Sequence, residues 1–550
     1  MYLTTLLLSL ALWLSSLGLA IFVARRRSAL TPTHTLLAGT FAGLTAMGFP
    51  IFAQQHPWYL ALLRAAHNSL QCFSLNGGFE VMADGARALA PALRGVFLLW
   101  AILLYLLAPV LTFSFVLSFF KNISAHRRFL LGFRREAFVF SDLNAKSLAL
   151  AKSLRAENPK RLLVFTDVYH KRKEATEDLL TEAERLGAVC FKRDILGVDF
   201  NRHSKKAGLT FFVMSGDEAE NLRHSTGLVE RYRNRRNTKL CAFSEHPENE
   251  LLLHAAQREN DKLQVFRVNE IQSLVYQTLY EHTMFGSKKI NAVVLGLGRY
   301  GGEMLKALCW CGQMNGYELT IHGFDISPDA QTRLAAACPE LLQNYDITIH
   351  DGVDWESAAF NETLANIGGV SFVFVALGSD NKSLQAALRL RSFCERQGAC
   401  PNILAVVYGA PQMEHSLVNS SGQNYGITIV GDLNSQFACK TLIGSELERR
   451  ALQKHLAWGD EASFYRSEYN YRSSMATAIH EKWRLACGIA LEDAPELEHR
   501  RWMAYMRGLG YVYGPQRSDR AKTHPDLVPF EQLSRDEQEK DIRITGEAAE

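Results

Sequence analysis

With 550 residues, 47% of them hydrophobic, and a net charge of only +3, the chain is too long for one ordinary domain and too close to neutral to be drawn to nucleic acid by charge. Its 10 cysteines are scattered, and the closest pair is Cys309-Trp310-Cys311, so they indicate neither a zinc site nor a disulfide framework and read as reduced thiols. No Ser-His-Asp or Cys-His constellation is visible, so no catalytic or metal-ligating residue is assigned.

A mean hydropathy of −0.08 hides a strong asymmetry, because residues 1–120 are very apolar and the rest is ordinary soluble sequence. Residues 2–23 are long and apolar enough to span a bilayer. No basic region precedes them and Arg25-Arg26-Arg27 follows, the reverse of a secretory signal, so they read as an uncleaved anchor with its N-terminus outside. Residues 36–52 form a second, glycine-rich span, and 96–120 the third and strongest, followed by Lys121, Arg127, Arg128, Arg134 and Arg135. Both basic flanks then face the cytoplasm, which predicts a multi-pass protein of the cell's inner (plasma) membrane, held in the lipid bilayer with its large C-terminal part cytoplasmic. Between spans two and three, residues 58–80 carry an amphipathic stretch and the loop Asn76-Gly77-Gly78. The layout is that of a potassium-channel pore unit, but the loop departs from a Thr-Val-Gly-Tyr-Gly filter. A re-entrant, pore-like loop and an amphipathic helix lying on the membrane are both compatible with these residues.

Short apolar strands follow at 136–140, 162–165, 188–191, 209–214 and 240–243, separated by helical stretches, the alternation of a parallel doubly wound sheet. The same order returns at 291–295, 319–324, 347–349, 370–376 and 403–407. A repeat length of roughly 155 residues marks two similar domains rather than a solenoid. The expected fold is therefore a membrane α-helical N-terminus (1–135), two Rossmann-like α/β domains (136–288 and 289–445), a linker (446–465) and a small, mostly α C-terminal domain (466–545).

In the second α/β domain an apolar strand runs into Gly296-Leu297-Gly298-Arg299-Tyr300-Gly301, a Gly-x-Gly-x-x-Gly. The first glycine permits a tight turn, the second lets backbone approach a pyrophosphate, and the third lets helix and strand pack closely. Asp325 ends the next strand, 24 residues after Gly301, where an acid suits a ribose diol and disfavours the extra phosphate of NADP. The expected cofactor is NAD or another adenine nucleotide. Aligned on the three glycines, the first domain has Ser141, Leu143 and Lys146; a leucine at the middle position blocks a pyrophosphate, so this copy reads as structural or as a binder of something smaller.

Membrane spans followed by such tandem domains resemble the RCK or TrkA-N family of potassium-channel and potassium-transporter regulators. Gly296, Gly298, Gly301 and Asp325 carry the resemblance, with Asp351-Gly352 after the third strand and Gly378-Ser379-Asp380-Asn381 after the fourth; it covers about residues 136–445. It implies domains that assemble into a homo-oligomer, dimer or tetramer, bind nucleotide through Gly296, Gly298, Arg299, Tyr300, Gly301, Asp325, Asp351, Gly378 and Asp380, and pull on a membrane pore without hydride transfer.

The C-terminal stretch contains Glu498-His499-Arg500-Arg501-Trp502 on an amphipathic helix, then Gly510-Tyr511-Val512-Tyr513-Gly514, then His524-Pro525-Asp526-Leu527-Val528-Pro529-Phe530. This order resembles the RyR domain, with Tyr511 where that family often has Trp. The resemblance implies a sensor of a small-molecule nucleotide signal, of cyclic-oligonucleotide or ADP-ribose-like chemistry. Tyr511 and Tyr513 are suited to stack on a base, and Arg500, Arg501 and Arg517 to fork onto phosphate. His499, Trp502 and His524 complete the expected ligand set, although His499 and Trp502, three residues apart, serve equally well as the small core of the module.

Three functions fit. The first is a nucleotide-sensing, ligand-gated membrane protein: an ion channel or membrane-disrupting effector, as in antiphage defence, or a potassium-transport regulator of RCK type responding to NAD(H) or ATP. The second, a membrane-bound NAD-dependent oxidoreductase, lacks a visible acid–base group for the nicotinamide, so the expectation is a non-enzyme. The third is a scaffold that recruits partners to the membrane. No nucleic-acid partner is expected.

Overall fold

The computed structural model describes residues 1–25, 32–74, 78–168, 175–246, 248–249, 252–253, 261–282, 288–409, 425–442 and 444–546. These fall into two compact units, Met1–Arg128 and Phe129–Glu550.

The first unit contains three helices long and apolar enough to cross a membrane: Tyr2–Arg25, Pro32–Phe52 and Pro91–Leu131. Small residues let the helices approach, with Gly39 against Ser16 and Gly43 against Ser9 and Leu104. Trp100 Nε1 donates to Ser9 Oγ at 3.0 Å, satisfying a polar atom between apolar helices. The helix Trp58–Phe73 buries a small and polar face, including Ala61, Ala65, Asn68 and Ser69. Arg64 and His67 are exposed, and so are Leu62, Leu63 and Leu70. Asn76 and Gly77 of the pore-like loop lie outside the described residues, and Gly78 begins the short helix Gly78–Gly85.

Two six-stranded parallel sheets organise the second unit. The first comprises β1 (Ala137–Phe140), β2 (Leu162–Phe165), β3 (Val189–Cys190), β4 (Leu209–Val213), β5 (Thr238–Phe243) and β6 (Leu263–Val268), in the order β3-β2-β1-β4-β5-β6. The second comprises β7 (Lys289–Leu295), β8 (Glu318–Asp325), β9 (Ile347–Asp351), β10 (Val370–Val375), β11 (Asn402–Val406) and β12 (Ile427–Val430), in the order β12-β11-β10-β7-β8-β9. Counted within each domain, both orders are 3-2-1-4-5-6, that of a dinucleotide-binding sheet. The two expected α/β repeats are therefore present, each with a sixth strand beyond the five read from the sequence.

The domains are not separable at 288/289. The helix Glu270–Glu281, which follows β6 of the first sheet and is capped by Asn269, buries Val275, Tyr276, Leu279 and Tyr280 in the same core as Ala292, Val294, Met304 and Leu308 of the second. Conversely Phe437, Cys439 and Leu442, which follow β12 of the second sheet, are buried with Phe140, Phe165 and Phe212 of the first. Each sheet thus completes its core with a segment from the other domain.

The stretch read as a linker, 446–465, is largely helical. Glu446–His455 is capped by Ser445 and Glu461–Arg466 by Asp460, and Leu447, Ala451 and Phe464 are buried. The C-terminal module consists of helices Glu468–Ala486, Ala494–Gly508 and Arg535–Thr545 with the two-stranded ribbon β13 (Val512–Tyr513) and β14 (Thr523–His524). Its buried side chains Ile479, Trp483, Tyr505 and Leu527 join the cluster of the second sheet. Fully buried Trp483 donates from Nε1 to the Leu279 carbonyl at 2.8 Å, and Lys482 Nζ donates to that of Tyr280 at 2.6 Å. Replacing Trp483 by alanine is expected to cost about 3–5 kcal/mol through cavity formation and to loosen the module from the exchanged helix. Urea unfolding would show the loss, and limited proteolysis would show new cleavage between 440 and 500; an unchanged midpoint and digest would refute this account of the docking.

Candidate functional site

The glycine loop lies where a nucleotide site belongs, beyond the C-terminal ends of β7 and β10, the neighbouring strands at which the order reverses. Gly296 has φ +87°, and a Cβ there would run into the carbonyl of Ala376 after β10. A Cβ on Gly301 would collide with the Gly296 carbonyl oxygen, so this glycine lets helix and strand close on each other. Gly298 is the N-cap of the helix Arg299–Cys311, with open space where its side chain would be and no side-chain cap hydrogen bond. Such a helix start presents free N–H groups and a positive dipole end to an anion.

The first domain closes the equivalent position. Its strand-to-helix loop is one residue longer, and the N-cap of the helix Ala145–Glu157 is Asn144, which forms a capping box with Ser147. Counted from the N-cap, the counterpart of Gly298 is Asn144 and that of Gly301 is buried Ser147, which corrects the pairing with Leu143 and Lys146. Leu143 is buried in the core instead, and Lys146 Nζ pairs with Glu270 at 2.6 Å. Ser141 Oγ accepts from the Met214 N–H. A side chain already takes the donors that an anion would need.

The remaining expected cofactor residues divide by what they already hold. Asp325 accepts from the Leu297 N–H at 2.6 Å and the Ser327 N–H at 2.8 Å, so it ties the glycine loop to the end of β8. Asp351 is its cross-strand partner on β9. Asp380 accepts from the Tyr408 and Gly409 N–H groups, each at 2.9 Å, which clasps the helix after β10 to the end of β11, while Gly378 takes a positive φ of +72° before it. Arg299 is paired with Glu245 from the loop after β5. Tyr300 accepts from Gln436 Nε2 at 3.1 Å and faces Tyr408 edge-on; its burial pushes the phenol well above its ordinary range.

A second region is a cavity of about 1030 Å³, which opens among the exchanged helix, the glycine-loop helix and the C-terminal module. Six of the eight residues expected to bind ligand in the module line it: His499, Arg501, Trp502, Tyr511, Arg517 and His524. The other two do not line it. Arg500 Nη1 donates to Asn315 Oδ1 at 2.8 Å, and Tyr513 is exposed, with its backbone N–H donating to Glu340. His499 donates from Nε2 to the Val528 carbonyl and stacks on Trp502, which meets His524 edge-on and donates to the Tyr469 hydroxyl at 2.7 Å. His499 and Trp502 are therefore at once module core and cavity wall. Sequence reading missed Arg472, Tyr469, Tyr276 and Trp310, which also line the cavity and belong to three different helices. Their residue types are ordinary core and surface letters, so only the fold brings them together.

Glu303, Lys306, Ala307 and Trp310 of the helix that starts at Gly298 line the cavity, and so does Glu245, the partner of Arg299. The two candidate regions thus share one helix and one ion pair. Burial pushes the thiols of Cys309 and Cys311 on that helix far above the ordinary range, which removes them as thiolate nucleophiles.

Two outcomes test these assignments. Gly301→Ala is expected to destabilise the protein by about 2 kcal/mol through overpacking, whereas Gly298→Ala is expected to leave the melting temperature unchanged; equal effects would contradict the geometry. His480 is fully buried, donates to the Gln313 carbonyl at 2.9 Å and lies 3.9 Å from Glu498; desolvation holds its ring down at about 4, below the ordinary 6.5. The unfolded chain therefore binds the extra proton first, so the stability this neutral ring contributes is complete above about pH 6.5 and is lost as pH falls towards 4. Scanning fluorimetry from pH 7.5 to 4.5 should show His480→Gln losing less melting temperature than wild type. Parallel curves would rule the contribution out.

No protein-family model matches this chain, and no curated protein matches it.

Proposed function

We propose that this chain is a nucleotide-sensing, ligand-gated membrane protein, an ion channel or membrane-disrupting effector whose Rossmann-like and RyR-like regions bind a nucleotide signal and gate the membrane helices. The observation that carries the reading is the helix Arg299–Cys311: it begins at an uncapped glycine loop and runs along the wall of the cavity that collects six expected ligand residues. A ligand in either place acts on the same rigid element. The resemblance to tandem RCK or TrkA-N domains agrees with the twin 3-2-1-4-5-6 sheets, and the half-buried aromatics Trp502 and Tyr511 suit a base. The output is assigned to the helix Pro91–Leu131, which runs through the boundary between the two units; Phe129, the first residue of the second unit, is buried beside Phe191, Phe200 and His203 of that same unit. A tenfold shift between closed and open populations requires a difference in ligand affinity worth about 1.4 kcal/mol, within the range of ordinary allosteric coupling.

The test is calorimetry on the full chain in nanodiscs with NAD, ATP, ADP-ribose and cyclic di- and trinucleotides, paired with dye or ion release from liposomes. A cavity ligand should bind roughly 10- to 100-fold more weakly to Tyr511→Ala, the loss of one stacking contact, and should trigger release in wild type. A glycine-loop ligand should be lost with Gly298→Asp. Binding by none of these nucleotides, or binding without release, would sink the sensor reading in favour of a scaffold.

A further inference from the structure

The cavity contains a feature that a purely structural pocket does not need. Two of the arginines lining it are almost completely buried, Arg472 at 4% and Arg501 at 1% exposure. A guanidinium carries five N–H donors and no acceptor. Arg501 donates from Nε and Nη2 to the two carboxylate oxygens of Glu498, at 3.1 and 2.9 Å, but its Nη1 is buried without a partner. Arg472 donates from Nη1 to Ser273 Oγ at a long 3.4 Å, and its Nε is buried without a partner. The nearby carboxylate, Glu468, lies 4.0 Å from that Nε and accepts from Arg267 Nε at 2.7 Å instead.

Unsatisfied donors on buried cations are expensive, and they persist where something else supplies the acceptors. Other acids on the cavity wall are engaged: Asp541 lies 3.4 Å from His499 Nδ1, Asp519 accepts from Tyr511 and Arg517, and Lys306 Nζ pairs with Glu303. Around the two arginines stand the phenols of Tyr276, Tyr469 and Tyr505, which burial keeps protonated and which therefore add donors rather than negative charge.

We infer that Arg472 and Arg501 form a phosphate receptor in the cavity wall, so that the ligand is a phosphorylated nucleotide whose oxyanion binds between these two helices while its base stacks against Trp502 and Tyr511. Planar, forked donors match phosphate oxygens, and a cavity of about 1030 Å³ has room for more than a single phosphate. Arg472 has a particular role. It sits on the helix Glu468–Ala486 and touches Ser273 of the exchanged helix, so an anion there bridges the first α/β domain to the C-terminal module. This assignment rests on reading the cavity as a ligand site, but not on gating.

The experiment uses full-length protein in nanodiscs carrying Gly298→Asp, which silences the glycine loop, with sodium pyrophosphate and uncharged adenosine as probes. Pyrophosphate should raise the melting temperature of this background. Arg472→Met should weaken its binding roughly 10- to 100-fold, the loss of charged hydrogen bonds, and Arg472→Lys should retain an intermediate affinity. Tyr511→Ala should spare pyrophosphate and weaken adenosine. Because the Met variant removes a buried charge with unmet donors, its unliganded melting temperature should not fall, which separates loss of binding from loss of fold. No stabilisation by millimolar pyrophosphate, or equal stabilisation of the Met variant, would overturn the assignment. Pyrophosphate binding that depends on Arg472, without nucleotide-triggered release, would leave the receptor standing and remove the gating function. Nucleotide binding and release indifferent to Arg472→Met would do the reverse.

Discussion

The exchange of terminal segments between the two sheets is the constraint on which the rest of the second unit depends. Val275, Tyr276, Leu279 and Tyr280 leave the first domain to fill the second, and Phe437, Cys439 and Leu442 return the favour. Each fully buried side chain of this kind stabilises by about 1.5–3 kcal/mol relative to exposure, so neither sheet keeps a complete core alone. A first copy without a glycine motif thus has a structural place. Asn144 and Ser147 close its helix start with a capping box, and its place in the molecule is secured by what it contributes to the other core.

The C-terminal module extends the same logic. It is held by Trp483 on the Leu279 carbonyl, His480 on the Gln313 carbonyl and Arg500 on Asn315, three contacts that reach both the exchanged helix and the loop after the glycine-loop helix. Arg500 therefore has a docking role that its place in an expected ligand set did not reveal. The cavity is the space these docked elements leave between them.

Much of this was legible in the sequence where the signal is local. Ten of twelve sheet strands in the α/β domains, the apolar helices and the steric roles of Gly296 and Gly301 follow from apolar runs and spacing. Two edge strands were not read: β6, Leu263-Gln264-Val265-Phe266-Arg267-Val268, is broken by Gln264 and Arg267, unlike the solid apolar runs inside the sheets, and β12 is the short stretch Ile427–Val430. The helices within 446–465 were hidden by a charged composition, Glu446-Leu447-Glu448-Arg449-Arg450; Ser445 caps the first, which buries Leu447 and Ala451, and Asp460 caps the second, which buries Phe464. The exchange left no local trace at all. An amphipathic helix states that it has a partner, not which sheet the partner belongs to, and that long-range choice also decides which residues line the cavity.

A site assembled in this way has a property that a pocket within one domain lacks. Its walls come from the exchanged helix, the glycine-loop helix and three helices of the module, and each belongs to a different part of the covalent chain. A ligand can shift a conformational equilibrium only through contacts that differ between the states. Arg472 donates to Ser273 at 3.4 Å, lies 4.0 Å from Glu468 and keeps a buried Nε without a partner, and an anion that supplies an acceptor favours whichever arrangement brings Glu468–Ala486 and Glu270–Glu281 to it together. The energy for such a shift need not be built by the ligand from nothing. It is already present as unmet hydrogen bonds, in a position where satisfying them constrains both α/β domains through the segments they have exchanged.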